Sequence, residues 1–161
     1  MKVKDVMTPN PQACTPTDTL AKAARSMWDY DCGILPVVTE GGKVVALITD
    51  RDICMSAGMH GFNLSNLAVE DVISGNVYSV KADDDVHKAL EMMRDHKIRR
   101  VPVVDANDRL QGVLSMNDVV LRAQQPQDKK VPGITYADVV DTYKAICAHQ
   151  LPIERTHGAG A

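Results

Sequence analysis

Two short strings in this sequence hold residue types that could bind a small molecule: Thr49-Asp50-Arg51-Asp52 and Ser115-Met116-Asn117-Asp118. In each, an Asp follows three residues after a Thr or Ser that closes an apolar run. The carboxylate therefore falls in the first turn of the helix that begins there. It can accept hydrogen bonds from two hydroxyl groups at once, a charge-assisted bidentate arrangement. The neighbouring hydroxyl and the free N–H groups of the helix start suit an anion. The competing reading is that Asp52 and Asp118 only cap their helices.

Other reactive residue types are scattered. No nucleophile–base pair, metal-ligand cluster or phosphate-cradling Gly-Lys loop stands out, so the sequence does not read as an enzyme. Cysteines at 14, 32, 54 and 147 form no C-x-x-C pair and read as structural or incidental thiols. Met55, Met59 and His60 read as core methionines in a connector rather than a soft metal site. Asp83-Asp84-Asp85 reads as a helix N-terminus rather than a metal site. His87 and His96 read as exposed. No metal and no required cofactor are expected.

Composition narrows the classes. The chain has 161 residues, 45% of them apolar and only 4% aromatic, so Val, Ile, Leu, Met and Ala must fill the core. A formal charge of −3, with no basic stripe, argues against a nucleic-acid partner. The start of the sequence lacks a signal-type apolar stretch, and no apolar run is long enough to span a bilayer. A cytoplasmic protein with no membrane partner is expected.

The positions that could bind a ligand are held by a duplicated frame. Val3, Asp5 and Val6 recur as Val69, Asp71 and Val72, and Lys22-Ala23 as Lys88-Ala89. Pro36-Val37-Val38 recurs as Pro102-Val103-Val104, and Asp52 as Asp118, always 66 positions apart. Each copy reads β-α-β-β-α. An opening segment (3–7, 69–73) precedes an extended stretch (12–15, 77–80), and a helix begins at Thr17 or Asp83. Two short apolar strands and a second helix follow. A proline just inside the first strand of each pair suggests an edge position, or a gap where the missing N–H leaves room for a ligand.

These segments resemble the cystathionine β-synthase (CBS) domain over residues 1 to about 123. Three features carry the likeness, each present twice. They are Asp5-Val-Met-Thr8 with Asp71-Val-Ile-Ser74, Gly33–Val38 with Arg99–Val104, and Ala46–Asp52 with Gly112–Asp118. The family usually has Gly where Ala46 stands. The resemblance implies an α/β (α+β) fold of two repeats packed with pseudo-twofold symmetry, commonly paired again into a homodimer. The expected organisation is repeat one over 1–60, repeat two over 61–123, a linker over 124–133, a C-terminal helix over 134–151 and a disordered tail over 152–161.

The resemblance also implies two clefts, each built from opposite halves, for AMP, ADP, ATP or S-adenosylmethionine as a regulatory ligand. The first would combine Thr49, Arg51 and Asp52 with Ser74, Asn76, Tyr78, Ile98, Arg99 and Arg100. The second would combine Ser115, Asn117 and Asp118 with Thr8, Asn10, Gln12, Cys32, Gly33 and Ile34. The carboxylate would hold a ribose, and the extended stretches an adenine. With three arginines the first cleft should prefer a phosphorylated ligand. The second should take a neutral-tailed adenosyl compound or stay empty. The expected function is a non-catalytic regulatory module read by an unidentified partner protein. The alternative is a homodimerisation module with empty clefts. In the C-terminal helix Thr135 is the expected cap. Tyr136, Val139, Val140, Tyr143, Ile146 and Cys147 form its packing face, and Pro152 ends it.

Overall fold

The computed structural model describes residues 1–61, 63–73, 77–125 and 133–148, and the side chain of His60 is not described. Each repeat contributes a β-hairpin flanked by two helices. In the first, β1 (Thr8–Pro9) precedes α1 (Leu20–Asp29), the hairpin β2 (Ile34–Val38) and β3 (Val44–Thr49), and α2 (Asp50–His60). In the second, β4 (Val80–Lys81), α3 (Val86–His96), β5 (Arg100–Val104), β6 (Leu110–Ser115) and α4 (Met116–Arg122) follow in the same order. A last helix, α5, spans Tyr136–Cys147.

The duplication extends to details of the backbone. The β2–β3 ladder slips register between Val37 and Val38, and the β5–β6 ladder between Val103 and Val104. The hairpin tips carry left-handed residues at Gly42 (φ 76°) and Asp108 (φ 61°). Asp31 and Lys97, which follow the first helix of each repeat, are left-handed as well, at φ 48° and 53°.

The two repeats exchange their opening segments. Val3 N donates to Asp84 O (3.0 Å) and Lys4 N to Ala82 O (2.9 Å). The mirror pair runs from Val69 N to Asp18 O (2.8 Å) and from Glu70 N to Pro16 O (2.9 Å). Val3 is fully buried in the core of the second repeat beside Val86, Leu90 and Leu114, and Val69 in the core of the first beside Leu20, Leu35 and Ile48. β1 crosses over too, joining the second sheet in the order β1-β6-β5-β4. This exchange explains why the first helices begin at Leu20 and Val86 rather than at Thr17 and Asp83. The carbonyls of residues 16, 18, 82 and 84 are engaged by the visiting segment, and the caps are Thr19 and Asp85.

Four further expectations change. β5 is an interior strand, so Pro102 does not mark an edge. In the first repeat Cys14 N donates to Pro36 O (3.0 Å) and accepts nothing from that proline, whose absent N–H ends the pairing toward Gln12. α2 continues to His60 and stops at the left-handed Gly61, which shortens the expected connector. Met55 and Met59 on α2 are 54% and 71% exposed, not core residues. His87 is only half exposed, lying 2.7 Å from an Asp85 carboxylate oxygen and 3.5 Å from one of Asp138.

α5 packs on the second repeat. Ile134 is buried there, with Val139, Tyr143 and Ile146 against the core, while Tyr136, Val140 and Cys147 stay exposed. Thr135 caps the helix as expected, and Cys147 ends it before Pro152. The expected linker residues 126–132 and the segment 149–161, including the expected tail, lie outside the described residues.

Charge pairing predicts the pH range of stability. The ammonium groups of Lys4 and Lys2 hold the Asp83 carboxyl down from 3.8 to about 2, and backbone donors hold Asp84 and Asp85 low as well. These depressed values stabilise the fold above about pH 4, and that contribution is lost as pH falls toward 2. Burial pushes the Cys14 thiol up from 9.0 to about 11, so its contribution is lost as pH rises from 9 to 11. Thermal melting is expected to be flat between about pH 5 and 8 and to fall on both sides. In a thiol titration at pH 8, exposed Cys54 and Cys147 should react first and Cys14 only on unfolding.

Candidate ligand-binding site

Both Thr/Ser-x-x-Asp strings form reciprocal caps at strand-to-helix junctions. Asp52 Oδ2 accepts from Thr49 N (2.9 Å) and Thr49 Oγ1 (2.7 Å), while Asp52 N donates back to Thr49 Oγ1 (3.2 Å). Asp118 Oδ2 accepts from Ser115 N (2.8 Å) and Ser115 Oγ (2.5 Å), and Asp118 N donates to Ser115 Oγ (3.3 Å). The same box recurs at Thr135 and Asp138. The string is therefore a helix cap first. Its surroundings decide what else it does.

Around Asp118 those surroundings form a cavity. All nine residues of the second constellation line one space of about 470 Å³, together with Pro11, Tyr30, Asp31, Arg100 and Val113. The volume is within the range of small-ligand sites. β1 brings Thr8 and the left-handed Asn10 to one wall, because Thr8 pairs with Val113 and Pro9 with Gly112. The end of α1 and the start of β2 bring Cys32, Gly33 and Ile34 to another. Asp118 keeps Oδ1 outside its cap, and Thr8 Oγ1 donates to it at 3.3 Å.

The first constellation is described only in part. Thr49, Arg51 and Asp52 stand at the start of α2, and half-buried Tyr78 stacks on His96 with ring centroids 3.5 Å apart. Ser74 and Asn76 lie outside the described residues. Ile98 packs against the second core.

Arg99 and Arg100 line a small pocket of about 60 Å³ with Ser115, Met116, Asn117 and Tyr143. Strand pairing puts them there, since Arg100 lies opposite Ser115 and Met116 N donates to Arg99 O (2.9 Å). Arg100 also lines the larger cavity, so two of the three arginines assigned to the first cleft border the second string. Among the described residues no carboxylate pairs with Arg51, Arg99 or Arg100. Arg99 and Arg100, which converge on the hydroxyl of Ser115 and the amide of Asn117, suit a phosphate, whereas Arg51 lines neither space.

Sequence reasoning missed Tyr30, Asp31 and Tyr143. The first two could have been found from their place beside Cys32, between the helix and β2. Tyr143 carried no such signal, because α5 is positioned only by packing. Among the described residues no group of three His, Cys, Asp or Glu side chains could hold a metal ion, and no helix is long and apolar enough to cross a membrane.

Comparison with known proteins agrees with this architecture. The chain is 35% identical over 124 residues to the uncharacterized protein YlbB of Bacillus subtilis, covering 76% of this chain and 82% of that one. The crystal structure of Hypoxic Response Protein I with two coordinated zinc ions superposes with a TM-score of 0.70 at 26% identity, over 77% of this chain and all of the other. The CBS domain pair of protein MJ0100, in complex with 5-methylthioadenosine and S-adenosyl-L-methionine, superposes with a TM-score of 0.65 at 27% identity, over 75% and 94%. The CBS domain model matches residues 3–57 and again 69–124. The chain thus belongs to the CBS-domain family and carries two CBS domains in tandem.

Proposed function

We propose that the chain is a non-catalytic regulatory module whose second cleft binds an adenosine-type nucleotide. One observation carries the reading: the nine residues expected from both repeats line a single 470 Å³ cavity, together with a second carboxylate, Asp31, and the guanidinium of Arg100, which among the described residues pairs with no carboxylate. Asp118 Oδ1 would accept from the ribose hydroxyls. The segment 32–34 would meet the adenine edge. Arg100, and Arg99 beyond it, would face the phosphates. This reverses the preference expected from sequence, since a phosphorylated ligand now suits the second cleft. The complex of the MJ0100 domain pair with two adenosyl compounds supports the ligand class.

The module would act as a homodimer in a reducing compartment such as the cytoplasm, as its free thiols suggest. Apolar side chains at repeat-equivalent positions, Met55 on α2 and Leu121 on α4, are exposed and would meet a second copy. The recurrence of the capping box at Thr135 and Asp138, where it serves α5 alone, favours the rival reading of an assembly module with empty clefts.

Isothermal titration with AMP, ADP, ATP and S-adenosylmethionine decides between them. Saturable heat that survives in Asp52→Ala but vanishes in Asp118→Ala is the expected result. Loss only in Asp52→Ala would move the ligand to the first cleft. No heat from any of the four would leave the assembly reading.

A further inference from the structure

The two repeats part company where each second helix begins. In the second repeat, Arg99 and Arg100 at the entry to β5 and Ser115, Met116 and Asn117 at the β6–α4 junction enclose the space of about 60 Å³, and Tyr143 of α5 closes it. In the first repeat the equivalent positions hold Gly33, Ile34, Thr49, Asp50 and Arg51. There the Asp50 carboxylate lies against Gly33, so close that an added Cβ would be 2.9 Å from Oδ2. The neighbouring groove between α1 and α2 stays open as a cavity of about 430 Å³, and Asp31 stands at the position of Lys97. Two adjacent guanidinium groups and a phenol therefore meet in one half only.

Packing of α5 brings Tyr143 to this place. Val139, Tyr143 and Ile146 lie against the second core. Arg94 Nη1 donates to the buried Thr142 Oγ1 (3.2 Å), and Lys97 Nζ donates to Ala148 O just past the end of the helix (2.6 Å). The small space adjoins the cleft, since Arg100, Ser115 and Asn117 border both it and the 470 Å³ cavity. Arg99 and Tyr143 border the small one alone.

Its chemistry is that of an oxyanion site. Ser115 Oγ already donates its proton to Asp118 Oδ2 (2.5 Å), so it has none to offer. The remaining donors are the two guanidinium groups, the Asn117 amide and the Tyr143 hydroxyl. Among the described residues no carboxylate lines the space, and neither arginine nor the Tyr143 hydroxyl has a hydrogen-bond partner. Donors carrying two positive charges and facing no anion recognise phosphate oxygens.

We infer that this pocket receives the second phosphate of a nucleoside diphosphate, and that Tyr143 makes α5 the element that responds to it. The inference rests on the nucleotide reading of the second cleft. With adenosine and the first phosphate in the larger cavity, Arg100 stands between the two spaces. The next phosphoryl group then meets Arg99, Asn117 and Tyr143. A space of this size takes one such group, so a third phosphate would remain in solvent. Coupling is reciprocal: a ligand that holds Tyr143 also holds α5 on the second repeat, and one that ends at the first phosphate does not.

Titration of the intact protein with AMP, ADP and ATP, joined to hydrogen exchange over residues 136–147, tests this. ADP is expected to bind about ten-fold tighter than AMP, and ATP within about three-fold of ADP. Arg99→Met should lower the ADP-to-AMP affinity ratio about ten-fold, and Tyr143→Phe, which keeps its ring on the core, about four-fold. Saturating ADP should slow exchange of the α5 amides about three-fold more than saturating AMP does. Equal affinity for AMP and ADP, a ratio that neither variant changes, ATP bound far tighter than ADP, or equal α5 exchange with both ligands would each overturn the inference and leave the nucleotide reading standing. Binding of neither AMP nor ADP would overturn both.

Discussion

Asp118→Ala is expected to weaken AMP binding in the second cleft by roughly 100-fold. The carboxylate would accept from two ribose hydroxyls, and hydrogen bonds to a charged group contribute about 1.5–3 kcal/mol each. Even the lower sum, about 3 kcal/mol, corresponds to roughly two decades of affinity. The variant also loses its reciprocal cap with Ser115, which should cost about 1 kcal/mol of stability. The control is Asp138→Ala, which removes the same box from α5, away from the 470 Å³ cavity. It should lower the melting temperature by a similar few degrees and leave the titration unchanged. Equal affinity in wild type and Asp118→Ala would end the ribose assignment.

Gly112→Val is expected to damage both stability and the cleft, because β1 lies against the backbone of Gly112. A Cβ at this position would sit 2.6 Å from Met7 Sδ and 2.9 Å from Thr8 O. The methionine end can swing away, but the Thr8 carbonyl belongs to the strand that pairs across Val113 and Gly112. β1 must therefore shift, at about 2–3 kcal/mol, the usual range for overpacking. For a chain of this size that is roughly 5–10 °C in Tm. Thr8, Asn10 and Gln12 would move with it, so nucleotide affinity should fall about ten-fold at temperatures where the variant is folded. Gly41→Ala tests whether the effect is local. Its Cβ would meet only Thr39 Oγ1, at 3.8 Å, and no change is expected. A Gly112→Val protein with wild-type melting and affinity would show that β1 does not form the cleft wall.

The capping strings, the hairpins and the duplication were legible because each is a local pattern. A hydroxyl three residues before a carboxylate makes the same box at Thr49, Ser115 and Thr135, whatever surrounds it. Short apolar, β-branched runs marked β2, β3, β5 and β6, and the constant offset of 66 positions carried over to bulges and left-handed residues. Helix starts were misplaced by about three residues because Thr17 and Asp83 suit a helix start in isolation. The carbonyls of the residues that follow them, Asp18 and Asp84, are taken by the other repeat's opening segment. The methionines of α2 were read as core from their apolar character, yet they lie on the face that the first repeat leaves open to solvent.

By itself, then, the sequence determined that this protein is two copies of one β-α-β-β-α unit with a capped carboxylate at the end of each. Local hydrogen bonding and side-chain periodicity depend on neighbours within a few positions, and a chain read one residue at a time displays them. Only the tertiary structure decided which half each opening segment visits, that Arg100 stands beside Ser115, and that α5 fills one groove and leaves its twin open. Those outcomes depend on burial and charge between segments far apart in the chain. Val3 is buried against Leu90, and Lys97 holds the end of α5 where Asp31 would repel it.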